Sequence, residues 1–188
     1  MSTHDDIRDI ALAEFAVAGY AGTSLQRIAE IAGLSKSSVL YHYDSKEALL
    51  EAAIGPAIDR MKAIIDGVGG SLLDADRRQA FIEQFVDLLL QYRLEVHMFI
   101  SHGPGLEDVP VIKRANELVV HLSAFFSSAV SNTEDHFRFG IALGGAAYVL
   151  SVKQEYSLEA PPIDEIRAAL VTIVSELLAP LSARFLTQ

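Results

Sequence analysis

The chain has 188 residues, 51% of them apolar and 21% charged, a balance that excludes disorder and suits a folded core. It contains no cysteine, which excludes disulfides and thiolate metal sites and fits a reducing, cytoplasmic setting. A formal charge of −10 excludes a protein that coats nucleic acid over its whole surface. Helix formers dominate and long Thr/Val/Tyr alternations are missing, so the expected class is all-α, with about nine helices. The polar, acidic opening Met1-Ser2-Thr3-His4-Asp5-Asp6 is unlike a signal peptide. The longest uncharged runs, Leu118–Thr133 and Phe139–Val152, fall short of the roughly 18 to 20 residues that span a bilayer, so no membrane partner is expected.

In chain order, a first helix is expected from Asp5 to Ala18, ended by Gly19 and Gly22. Ser24 can cap a short helix from Leu25 to Ala32, and Gly33 breaks it. Ser35 can cap a second short helix, Lys36 to Tyr43. Ser45 starts a longer one with Glu47 in its first turn, where the helix dipole favours an anion. That helix reads through Leu49, Leu50, Ala53, Ile54, Ile58, Met61 and Ile65, with Gly55-Pro56 interrupting its middle. Further helices are expected over Asp76–Ile100, Pro110–Val130, Glu134–Tyr156 and Ile163–Phe185, the last kinked or shortened by Pro180.

The two short helices carry a specific geometric demand. Ala29 is small where the second helix crosses, Gly33 supplies the positive φ of a tight turn, and Val39 packs back into the angle. Lys36, Ser37, Ser38, Tyr41 and His42 are then left outward. This is the pattern of a helix-turn-helix, whose second helix can enter a major groove, although a plain αα-corner satisfies the same spacing. Residues 1–50 hold four Lys or Arg against seven Asp or Glu, whereas 24–46 hold three against two. A lone footprint of that kind is weak, so pairing two in a dimer becomes part of the expectation.

The stretch from Phe15 through Gly19-Tyr20, Thr23-Ser24-Leu25, Ile28-Ala29, Ala32-Gly33-Leu34-Ser35-Lys36, Val39, Tyr41-His42-Tyr43, Ser45-Lys46-Glu47 and Leu49-Leu50 resembles the N-terminal domain of tetracycline-repressor (TetR) family regulators. The resemblance covers about residues 5–52. It implies a helix-turn-helix domain over 1–47 and a helical effector-binding and dimerisation domain over 48–188. It also implies a homodimer, a palindromic double-stranded DNA operator and repression relieved by a small ligand. Three positions depart from the family pattern: Leu40 where Tyr is common, Tyr43 where Phe is usual, and Ser37 where Gly, Ala or Pro is usual. Chemistry and position together assign Lys46, Tyr41 and His42 to phosphates and Lys36, Ser37 and Ser38 to base edges. Gln26 and Ser24 stand beside them, and Arg27 either meets DNA or pairs with Glu30.

Beyond residue 52 the reading rests on helix faces. Apolar stripes on 81–100 and 111–130 are ordinarily core, and a pocket among them would suit an apolar effector. Met61, Phe85, Tyr92, Met98, His121 and Phe125 are the candidate lining. The helices over 134–185 are apolar nearly all round, so they must be covered on every side, either inside one large core or against a twin. Ile141, Gly144, Gly145, Tyr148, Ile166, Leu170, Ile173 and Leu177 are the expected dimer interface. His97, His102, His121 and His136 do not form a ligand pattern, so no metal or other cofactor is expected. Without a phosphate loop, nucleophile elbow or acid pair, neither is catalysis. The rival expectation is a helical ligand-binding or scaffold protein whose N-terminal corner does not touch DNA.

Overall fold

Left-handed glycines and hydroxyl caps set the first part of the fold, described here from a computed structural model that covers residues 3–68, 74–129, 132–151 and 161–179. Helix α1 (Thr3–Gly22) turns sharply at Gly19, whose φ of +73° only glycine adopts cheaply. The first turn beyond it is tied by the Thr23 hydroxyl, which donates to Gly19 O at 2.9 Å. Helix α2 (Leu25–Ala32) starts where Ser24 Oγ accepts from Arg27 N. It ends at Gly33, at φ +67°, after which Leu34 N donates to Ala29 O at 2.9 Å. Helix α3 (Lys36–His42) is capped by Ser35, which accepts from Ser38 N at 3.0 Å. Ser45 caps α4 (Lys46–Gly67) in the same way, through Ala48 N.

The expected interruption at Gly55-Pro56 does not break α4, which runs through Pro56. Gly55 has a different use. A Cβ there would stand 2.9 Å from Glu51 Oε1 and 3.1 Å from an Arg114 guanidinium nitrogen, so the missing side chain leaves room for the Glu51–Arg114 ion pair. Continuing along the chain, α5 (Ala75–Gln91) ends at Tyr92, whose φ of −110° and ψ of 39° leave the helical region. A separate α6 (Arg93–His102) follows, where the apolar stripe over 76–100 suggested one helix. Helix α7 spans Pro110–Ala129. Helix α8 (Thr133–Phe139), capped by Asn132, passes through one π-helical turn (Gly140–Gly144) into α9 (Gly145–Ser151), and α10 spans Ile163–Leu178. With α8, the π turn and α9 taken as one rod, the described residues form nine helices and no strand. Val130, the extensions to Tyr156 and Phe185, and Pro180 lie outside the described residues.

The helices gather into two compact units, and the division differs from the expected one at 47/48. The first unit comprises residues 1–59 and 94–117, the second 60–93 and 118–188. The reason is packing. Met98, Val111 and Ile112 are fully or almost fully buried in the same cluster as Ile7, Phe15, Ile28, Val39, Leu49 and Leu50. Three short helices have too little inward surface to build a sufficient core, and α6 with the start of α7 supplies what is missing. In the second unit, α5 buries Phe81, Ile82, Phe85, Val86 and Leu89, and α10 lies against it. Two polar links join that helix pair: Arg167 to Asp87 and Ser175 Oγ to Gln79 Oε1.

Candidate nucleic-acid interface

Helix α3 shows its two faces clearly. Val39 and the aromatic ring that follows, Tyr43, are buried, while Lys36, Ser37, Leu40 and Tyr41 are exposed; Tyr41 reaches 86% exposure. Positions 36, 37, 40 and 41 fall on one arc of a helix with 3.6 residues per turn, so these four side chains form a continuous outward face. Ser38 sits at its margin, its hydroxyl 2.8 Å from Ser35 Oγ and so already engaged in the cap. His42 is half-buried, edge-on to both Tyr41 and His4. On α2, Gln26 is exposed and donates to Glu30 Oε1 at 3.0 Å, while Ser24 is used as the cap. Arg27 is drawn toward Glu14 on α1, at 3.4 Å from its Nε, instead of toward Glu30 within α2.

Lys46 occupies an unexpected place. Its ammonium donates to Tyr20 O at 2.6 Å and Thr23 O at 2.7 Å, and it stands 4.1 Å from the centre of the Tyr20 ring. Two of its three N–H groups therefore hold the α1–α2 turn against the start of α4. Burial in this clasp pushes its pKa below the usual lysine value. A helix end leaves carbonyls without partners, and a cation beside them meets both the hydrogen-bond need and the dipole.

Two further polar contacts lie outside the sequence reading. Tyr43 is more than an aromatic plug: its hydroxyl lies 3.0 Å from both His4 O, to which it donates, and His4 Nδ1. The signal was the departure itself, a Tyr where the family pattern has Phe. The second contact joins α6 to α1. His97 Nε2 and His102 Nε2 lie 3.1 and 3.2 Å from Ala16 O, the carbonyl just ahead of the Gly19 turn. A carbonyl only accepts, so both imidazoles donate from Nε2. These two histidines are thus helix-end donors. Among the described residues no group of three or more His, Cys, Asp or Glu is placed to hold a metal.

The six residues expected to line an effector pocket divide between the two units, Met98 in the first and the other five in the second. Met98 is fully buried in the first unit's core, a correction that follows from α6 packing on the reading head, and His121 is exposed. Met61 and Phe85 are buried in the second unit, with Tyr92 and Phe125 half-buried. Phe85 and Phe125 do share one aromatic cluster. Phe85 stacks on Phe81 at 5.9 Å, Phe81 meets Phe126 at 5.5 Å, and Phe126 contacts both Phe125 and Phe139. A shallow groove in this unit lies elsewhere, lined by His136, Phe137, Gly140 and Ile141.

None of the eight residues expected at a dimer interface is buried within the chain. Ile141, Tyr148 and Ile173 are more than half exposed, with Phe137, Val149 and Ile163 exposed beside them in sequence. Among the described residues, nothing beyond the helix's own backbone and the chain neighbours lies within 4 Å of where a Cβ on Gly144 or Gly145 would stand. The inward residues of the same rod are Ala142, Leu143, Ala146 and Leu150. The rod is therefore apolar on its inward and its outward face alike, as the composition suggested, and only the inward face is covered by the described residues.

Residues 7–53 match the family model of bacterial regulatory proteins of the tetR family. The chain is 29% identical over 101 residues to IcaR of Staphylococcus aureus, a negative transcriptional regulator of the biofilm operon icaADBC; the match covers 53% of this chain and 54% of IcaR. It is 45% identical over 53 residues to the transcriptional regulator RutR of Escherichia coli, covering 28% of this chain and 25% of RutR. The chain thus spans about half the length of the IcaR relatives it matches, and less of RutR. In fold it is similar to SCO3833 of Streptomyces coelicolor, a TetR-family member, with a TM-score of 0.69 and 22% identity over 93% of this chain and 91% of that one. It is similar in the same way to KstR2 of Mycobacterium tuberculosis, with a TM-score of 0.66 and 18% identity over 93% and 94%. No helix among the described residues is long and apolar enough to cross a membrane. The helix-turn-helix with this turn chemistry is thus the part of the chain that matches the tetR family model, and the chain as a whole shares its fold with solved TetR-family regulators.

Proposed function

We propose that the chain is a homodimeric repressor that binds a palindromic DNA operator and leaves it when a small apolar effector binds. The observation that carries the DNA reading is the outward face of α3. It joins a cation, a hydroxyl, an aliphatic chain and a phenol on a helix whose opposite side is locked by Val39 and Tyr43. Lys36 and Ser37 suit base edges, with Tyr41, His42 and Gln26 at the sides where phosphates run. Lys46 keeps one N–H beyond its two carbonyls, enough for a single phosphate. A dimer is favoured by the exposed apolar line Ile141, Tyr148 and Ile173 beside Gly144 and Gly145, because apolar area of this kind gains by being covered. The effector reading rests on the aromatic cluster around Phe85 and Phe125, a site class that takes apolar molecules.

The test joins two measurements on the full chain. Light scattering should give a dimer at micromolar concentration, and selection from a random duplex library should enrich an inverted repeat. Its half-sites should be centred roughly one helical turn, 10 to 10.5 base pairs, or a multiple of it apart. A monomer, or enrichment of single unpaired half-sites, would remove the dimeric operator from the proposal.

A further inference from the structure

We propose that Leu40 reads the C5-methyl group of a thymine in each operator half-site. The inference rests on the DNA-binding reading of α3 and names what that face recognises. Leu40 is 38% exposed and lies one turn beyond Lys36, on the outward face. The rest of its surface is covered, and the exposed part lies between Lys36 and Ser37 on the same arc of the helix. An aliphatic tip has no hydrogen bond to offer. Set against a phosphate or a base-edge donor or acceptor, it would strip water from that group without replacing it. The apolar group that a major groove presents is the thymine methyl.

Charge strengthens the case. Lys36 is the one Lys or Arg on α3. Arg27 is drawn toward Glu14, and Lys46 spends two N–H groups on backbone carbonyls. Attraction to phosphates is therefore thin in this unit, and uncharged contacts to bases must carry a larger share of the affinity and the choice of sequence. A tyrosine at position 40, the common residue of the family pattern, would offer a hydroxyl to the backbone. Leucine exchanges that contact for a reading of one base.

The experiment uses the full chain and the duplex most enriched by selection from a random library. Each thymine of that duplex is replaced in turn by deoxyuridine, which removes the methyl and nothing else. For the unaltered protein, one position per half-site should lose about fourfold in affinity, the effect of one buried methyl group. For Leu40→Ala the ratio at that position should fall to about one, while Leu40→Met, which keeps an aliphatic tip, should retain the loss. If no thymine shows the loss, or Leu40→Ala shows it undiminished, Leu40 does not read a methyl although the protein still binds DNA. If no duplex is enriched at all, the DNA-binding reading fails and this inference fails with it.

Discussion

The two units of this protein carry comparable cores but announce themselves differently. In the first, each turn is specified by one or two residues whose chemistry is local: Ser24 and Ser35 cap, Gly19 and Gly33 adopt positive φ, and Thr23 ties the corner. In the second, long helices are held by side chains far apart in sequence, such as Phe81 against Phe126 and Arg167 against Asp87. A reading head must present one fixed geometry to a regular polymer, so its shape is pinned by short-range rules. The second unit is defined by the shape of its interior and of its uncovered apolar face. Neither leaves a local signature.

The sharpest way to test this division is to remove equal bulk from each side. Phe15→Ala and Phe81→Ala each delete a fully or nearly fully buried aromatic ring, and each should cost about 3 to 5 kcal/mol. Hydrogen exchange followed by mass spectrometry should separate them. Phe15→Ala should speed exchange over α2, α3 and α6, and Phe81→Ala over α5 and α10. The same pattern from both variants would erase the distinction between units.

Lys46 sharpens the comparison within the first unit. Lys46→Met keeps the stem and removes the ammonium that donates to Tyr20 O and Thr23 O. The expected loss is about 1 to 3 kcal/mol in a denaturant melt. If its third N–H also meets a phosphate, the slope of log affinity against log salt should become shallower by about 0.9 per subunit. A variant as stable as the parent would mean that the clasp does not hold the turn. Tyr43→Phe is the smallest change and restores the residue usual in the family pattern. Loss of the hydroxyl that joins His4 should lower stability by about 0.5 to 1.5 kcal/mol, read as a shift in melting temperature.

These residues also show what could be read in advance. The all-α class, the caps at Ser24, Ser35 and Ser45, the glycine turns and the outward set on α3 follow from rules that act within four residues. The break at Tyr92 is not legible, because its apolar stripe continues on both sides and periodicity is blind to a single residue that leaves the helical region. The place of Met98 in the first unit's core is hidden for the same reason: a stripe says that a face is buried, never against what. The clasp of Lys46 is not legible in the sequence, since two backbone carbonyls closing on it from 23 and 26 residues away leave no trace in spacing. The π turn at Gly140–Gly144 was invisible because every residue in it is ordinary for a helix.

The central claim is that the outward face of α3 lies against DNA bases, and photocrosslinking tests it at the residue level. The full chain is bound to its selected duplex carrying 5-iodouracil in place of single thymines, then irradiated, digested and sequenced by mass spectrometry. Crosslinks should fall within 36–40, on the part of the outward face assigned to base edges. Crosslinks confined to other elements, with α3 unlabelled at every substituted position, would contradict the account.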